Sequence, residues 1–228
     1  MPPFLGRLIQ EHQIFLAAFE ILFEKTKGEI EAEEKMELFK SLFKLCKVFY
    51  EDFHEAKEEN VLFPHLAADP SIYAGGPECV YHFDLQMQSP PLKIAEKACS
   101  ESGLEARPVQ FPMHLQDLVE AQSPLVIPME DHQAGKLLLN AAAPLLAQPL
   151  ETSSVRKLQT LFAAYQEIQV RHIRKEEGCL FCLTRLLIYQ PAAWQKLEAE
   201  ELYWSPQKIH PLVDELFQQL TPGRAPCL

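Results

Sequence analysis

The sequence predicts an all-α fold: four long helices in two pairs, an inserted segment between the pairs, and weaker helices after the fourth. Three observations lead there. Apolar residues recur at three- and four-residue steps over four long stretches, and no two-residue alternation competes with them. A ten-residue stretch on the second helix, His54-Glu55-Ala56-Lys57-Glu58-Glu59-Asn60-Val61-Leu62-Phe63, returns on the fourth as His172-Ile173-Arg174-Lys175-Glu176-Glu177-Gly178-Cys179-Leu180-Phe181. Each copy follows a shorter match about forty residues upstream, Glu11-His12-Gln13 and Asp131-His132-Gln133. A unit of one His and a later His-x-x-x-Glu therefore occurs twice.

The first helix is expected over about 3–27, where Leu5, Leu8, His12, Phe15, Phe19, Leu22 and Phe23 make one apolar stripe containing a histidine. Lys27-Gly28 marks its end. The second runs over about 32–63 and stops at Pro64. From 66 to 123 the pattern breaks down into Pro- and Gly-rich turns, with one short helix over Leu92 to Ser100. This insertion carries Tyr73, Tyr81, Phe83, Leu85, Met87, Phe111, Met113 and Leu115, which suits a packed cover better than a solvated linker. The third helix spans about 126–147, with Pro144 kinking or ending its last turn. Glu151-Thr152-Ser153-Ser154 supplies N-cap residues for the fourth, over about 152–189. Weaker helical stretches follow from Ala192 to Tyr203 and from Pro211 to Leu220. Residues 1–220 read as a single domain and 221–228 as a flexible tail.

Composition narrows the function classes. At 228 residues and 47% apolar the chain buries a substantial core, and its net charge of −11 argues against nucleic-acid or anionic-membrane partners. No apolar run approaches the length of a membrane span. Met1-Pro2-Pro3-Phe4 lacks the features of a signal peptide, and the six cysteines lack the density of a disulfide scaffold. The expectation is a cytoplasmic, reducing environment. Cys179-x-x-Cys182 is a single CxxC on an apolar helical run, read as buried thiols acting as small hydrophobes rather than as a zinc site.

The repeated histidines and glutamates carry chemistry. Residues four apart lie one turn apart on the same helix face, so His54 with Glu58, and His172 with Glu176, each present a nitrogen and a carboxylate to one point. His12 and His132 come from the other two helices. Helical bundles assemble two-metal carboxylate sites in this way. Burying four His and two Glu without a cation would leave several polar groups unsatisfied, at about 1–3 kcal/mol each. The mixed ligand set suits iron, manganese or zinc better than magnesium or calcium. Six ligands suit two metals, each taking two His and one oxygen from each bridging Glu. A bridging oxo or hydroxo group then leaves one open position per metal.

On Glu11-His12, His54-x-x-x-Glu58, Asp131-His132 and His172-x-x-x-Glu176, the chain resembles the hemerythrin-like (HHE cation-binding) family, over about 1–65 and 125–190. The resemblance implies an up-down four-helix bundle around a non-heme di-iron centre (Fe2+/Fe3+). It implies reaction with or binding of O2, NO or peroxide, sensing of iron or oxygen, or repair of iron–sulfur clusters. Oxygen-carrying members have a second His four residues after the third-helix His, where this chain has Lys136, and an Asp five residues after the fourth-helix His, where it has Glu176 at four. The pattern is closer to the metal-binding domain of the di-iron repair proteins, whose cysteine-bearing N-terminal domain is not expected before it.

Around the six ligands, Gly135 leaves room for an exogenous ligand or serves close helix packing. Tyr50 and Tyr165 donate hydrogen bonds to bridging or bound oxygen, or are core residues with surface hydroxyls. His82 and His114 are further imidazoles within the insertion. Glu55 and Glu59 are expected on a solvated face, Lys57 and Lys175 on the rim, and His65 and His210 in surface loops. Three readings of the whole follow: a redox enzyme or repair factor, an oxygen- or iron-sensing protein without turnover, and a metal-stabilised structural bundle.

Overall fold

A computed structural model describes residues 2–69, 90–117, 125–149, 151–188 and 190–204. It holds six helices and, among the described residues, no strand. Helix α1 is Pro3–Lys27. Helix α2 runs unbroken over 32–67, opening as an ordinary α-helix at Ala32–Lys44, widening into π-helix at Leu45–Glu55 and again at Glu58–Leu62, and closing as α at Phe63–Ala67. Helix α3 is Pro91–Glu101 and α4 is Val126–Ala147. Helix α5 covers 152–187, α-helical at Thr152–Lys175, π at Glu176–Leu180 and α at Phe181–Leu187; α6 is Pro191–Trp204.

Helices α1, α2, α4 and α5 pack on one another, α3 lies against α4 and α5, and α6 lies against α1 and the second π segment of α2. Two apolar clusters result. One gathers Phe15, Phe19, Leu22, Phe39, Tyr50, Leu138, Leu158, Phe162 and Tyr165; the other gathers Phe4, Leu8, Phe63, Leu66, Met129, Leu180, Phe181 and Leu197. Each of α1, α2, α4 and α5 passes from one cluster to the other across its expected ligand residues, so the polar site lies between two dry layers. Phe162 is buried and stacked on Phe39 with ring centroids 5.6 Å apart. Phe162→Ala is expected to cost about 3–5 kcal/mol in chemical denaturation through the cavity left behind.

The short helix expected in the insertion is α3, and its Ala95, Ala98 and Cys99 join the first apolar cluster. Leu115 is buried and Phe111 packs on the second cluster, but Met113, expected in the cover, is exposed. Tyr73, Tyr81, Phe83, Leu85, Met87, His82, His210, the expected helix from Pro211 and the 221–228 tail lie outside the described residues.

Several boundaries differ from expectation for physical reasons. Pro64 does not stop α2, because it falls in the first turn of the closing α segment, just where i+5 bonding gives way to i+4 and a missing N–H is tolerated. Pro144 sits inside α4, which ends three residues later at Ala147. No Ser or Thr side chain caps α5; Glu151 is the N-cap residue and Ser153 Oγ donates to its Oε2 at 3.1 Å. Cys179 is disulfide-bonded and Cys182 is an exposed free thiol, so the pair is not two buried thiols. No described helix is long and apolar enough to cross a membrane.

Candidate metal centre

The six expected ligands converge. Two groups form, His12–His54–Glu58–Glu176 and Glu58–His132–His172–Glu176, with the ligand atoms of each within 4.8 Å of one another and every residue buried. Glu58 and Glu176 belong to both groups. Glu58 Oε1 lies 3.5 Å from His54 Nε2 and Oε2 lies 3.4 Å from His132 Nε2. Glu176 Oε2 lies 3.3 Å from both His12 Nε2 and His172 Nε2. Two donors each about 2.1 Å from a shared cation, roughly 100° apart, are separated by about 3.2 Å.

The polar accounting supports the fit to cations. All four Nε2 atoms and all four carboxylate oxygens of Glu58 and Glu176 are buried without a hydrogen-bond partner. Such atoms cost about 1–3 kcal/mol each unless something ligates them. Charge points the same way. Among the described residues, Glu11, Glu55, Glu58, Glu59, Asp131 and Glu176 are mostly or wholly buried around the site, and Lys57, Lys136 and Lys175 are packed against them. A buried excess of carboxylate calls for cations.

Every imidazole is held from behind. His54 Nδ1 lies 2.8 Å from Glu11 Oε2, and His132 Nδ1 lies 2.8 Å from Glu59 Oε1. His12 Nδ1 lies 3.0 Å from Glu177 Oε1, and His172 Nδ1 lies 3.3 Å from Asp131 Oδ2. A carboxylate that takes the Nδ1 proton fixes the tautomer and leaves Nε2 free to ligate. The lysines complete the pattern: Lys57 Nζ reaches Glu11 at 2.5 Å, and Lys175 Nζ reaches Asp131 at 2.5 Å. Lys57 also lies over the Phe53 ring and 3.3 Å from Glu201 of α6, which in turn pairs with Arg7. The duplication thus extends beyond the ligands, to Glu11 with Asp131, Lys57 with Lys175, and Glu59 with Glu177.

These carboxylates and lysines overturn the expected solvated face and rim. Glu55, Glu59, Lys57 and Lys175 are all buried. The lysines are drawn in by Glu11 and Asp131 on other helices, and the two glutamates lie in π-helix. Regular α geometry turns the residue after Glu58 about 100° aside. The wider π turns, closed by Phe63 N–H to Glu58 O and Phe181 N–H to Glu176 O, keep consecutive glutamates near one face. Glu58 and Glu176 then meet the site while Glu59 and Glu177 reach a neighbouring imidazole. The signal was present in the repeat, since the Lys-Glu-Glu triplet matches whole between the copies. Glu201 had no such signal.

The remaining candidates divide. Tyr50 is fully buried, stacked on His54 with centroids 4.8 Å apart, and its hydroxyl has no partner. Tyr165 is fully buried but its hydroxyl is hydrogen-bonded to the Cys46 thiol. Neither hydroxyl is at the surface. At Gly135 an added Cβ would lie 2.9 Å from Gln169 Nε2 and 3.3 Å from Tyr165 Cε2, so the absent side chain makes room for Gln169. His114 is exposed and reaches the Glu59 carbonyl at 3.3 Å, not either ligand group. His65 lies near the end of α2, 3.0 Å from Glu200, not in a loop. Lys136, at the position of the carriers' extra His, lies 2.7 Å from Glu59.

Protonation alternates around the metal-free site. Burial opposes charge on His12, but the carboxylates of Glu176 and Glu177 outweigh it and raise the pKa to about 9. His132, equally desolvated, is raised well above its usual value by Glu55, Glu58 and Glu59. Burial lowers His54 well below the usual value and takes His172 to about 4. Each half-site therefore holds one proton where a cation would sit. Binding two metals at pH 7 is expected to release about two protons per chain, fewer as the pH passes 9, measurable by calorimetry in buffers of different ionisation enthalpy. Because the His12 pKa is raised on folding, its contribution to the metal-free fold is complete below about 6.5 and lost as pH rises through about 9.

No protein-family model matches the chain, and neither does a curated protein or a solved structure. The family resemblance therefore rests on the ligand motifs alone, and what stands plainly is an all-helical chain whose buried His and Glu groups can hold metal ions.

Proposed function

We propose that this chain is a hemerythrin-like non-heme di-iron protein, a four-helix bundle within a single domain over about 1–220, that binds or reacts with a small oxidant: O2, NO or peroxide. Its setting would be cytoplasmic redox or nitrosative stress, or iron–sulfur repair. The observation that carries the reading is the set of eight orphaned donor atoms, four imidazole nitrogens and four carboxylate oxygens, focused on two adjacent points.

In this reading His12 and His54 hold one metal, His132 and His172 the other, and Glu58 and Glu176 are shared between them. The metals supply redox change and open coordination positions for the oxidant. Glu11, Asp131, Glu59 and Glu177 hold the Nδ1 protons, and Lys57 and Lys175 offset the charge of Glu11 and Asp131. Phe181 stacks on His12 and Phe63 on His132, each with centroids 5.8 Å apart, excluding water from one side. Manganese or zinc would fit the same donors.

Metal analysis with an optical spectrum of the purified chain tests the reading. About two irons per chain, with an oxo-bridge band that changes on adding azide, O2 or NO, supports it. One zinc per chain and no spectral response would leave a structural metal site only.

A further inference from the structure

The eight ligand atoms do not exhaust the unpartnered polar groups of the interior. Tyr50 Oη, Glu55 Oε2 and Gln169 Oε1 are also buried and without a partner. Two of them lie together: Gln169 Nε2 donates to Glu55 Oε1 at 3.4 Å, and a Cβ added at Gly135 would lie 2.9 Å from Gln169 Nε2 and 4.0 Å from Glu55 Oε1. Tyr50 precedes Glu55 by one turn of π-helix on α2.

Their placement is one-sided although the ligands are duplicated. Gln169 stands three residues before His172, and Gly135 three residues after His132, which on neighbouring helices puts both beside the same half-site. The equivalent positions around His12 and His54 are Glu51, paired with Lys47 at 2.8 Å, and Phe15, stacked on Tyr50 at 4.0 Å. The counterpart of Glu55 is Ile173, and that of Tyr50 is Ile168. The His12–His54 half has the aromatic rings of Tyr50 and Phe15 beside it; the other half has an amide and a carboxyl. The opposite side is closed by Phe63 and Phe181.

We propose that Glu55 and Gln169 form a polar subsite beside the His132–His172 half of the centre that takes a small protic oxygen ligand, hydrogen peroxide or water, in preference to a diatomic gas. The proposal rests on the di-metal reading and adds to it where the ligand lies and what it must carry. Gln169 Oε1 can only accept a hydrogen bond, and Glu55 Oε2 accepts or donates. A ligand bearing O–H satisfies both. O2 and NO have no hydrogen to give, and leave the Gln169 carbonyl orphaned.

Two measurements on the full chain test this, with metal content determined on every sample. A high-resolution crystal structure is expected to show an ordered oxygen about 2.7–3.1 Å from Glu55 Oε2 and Gln169 Oε1. In the iron-loaded protein, Gln169→Leu is expected to raise the half-saturating hydrogen peroxide concentration about tenfold or more, and to change nitric oxide affinity less than about threefold. Gly135→Ala, which displaces the amide without deleting it, should act in the same direction, and Glu51→Gln at the equivalent position should change neither. A dry contact, or equal effects on peroxide and nitric oxide, overturns the proposal. A chain that takes up no metal would remove the di-metal reading, while the presence or absence of the ordered oxygen still decides the subsite.

Discussion

Glu58→Ala is expected to lower bound metal from about two ions per chain to well below one, with the helices retained. The expectation follows from geometry: Glu58 is one of two residues in both ligand groups, with Oε1 facing His54 and Oε2 facing His132. Removing it takes an oxygen from each half-site and exposes each remaining cation to the neighbour's charge. His12→Ala, by contrast, touches one group, and is expected to leave about one ion per chain on the His132–His172 side. Mass-spectrometric metal analysis with circular dichroism on the same samples separates the two outcomes. Full occupancy in Glu58→Ala would mean that the carboxylate is not shared.

The second large effect concerns residues that touch no metal. Asp131 takes the Nδ1 proton of His172 and receives Lys175 at 2.5 Å, all inside the protein. Asp131→Asn keeps the shape but loses the charge that makes the imidazole a strong donor, and is expected to weaken metal binding about 10–100-fold. Lys175→Met leaves Asp131 buried without its cation and is expected to cost about 3–5 kcal/mol of stability. The exposed pair Lys27–Glu24 is a control, expected to contribute less than about 1 kcal/mol. Competition with a chelator reads the first effect and urea unfolding the second. Equal, small effects at Asp131 and Glu24 would show that the buried carboxylate has no role in holding the imidazole.

What the sequence made legible was whatever followed a regular period. The apolar stripes located α1, α4 and α5 to within a few residues, and the short helix within the insertion, because burial and three- or four-residue spacing go together. The six converging residues were readable because they were duplicated, so chance pairing of His with Glu was not a competing explanation. What stayed hidden depended on departures from the α period. The π turns at Glu58–Leu62 and Glu176–Leu180 leave no mark in propensity, and they hold Glu59, which is buried, and Glu177, which is part-exposed, where each reaches an imidazole. Pro64 looked like a stop for the same reason. The burial of Lys57 and Lys175 depends on Glu11 and Asp131 being brought opposite by other helices, and the partnership of Lys57 with Glu201 on α6 joins residues far apart in the chain. Of the two readings of Gly135, room for a ligand or close helix packing, the sequence could not choose, because Gln169 approaches it from a different helix.

Anomalous X-ray scattering from crystals of the metal-loaded chain tests the central claim most directly. Two peaks are expected about 3–4 Å apart, one bonded by His12 and His54, the other by His132 and His172, with Glu58 and Glu176 bridging. No peak between the two apolar layers, or a single metal held by residues elsewhere, would contradict it.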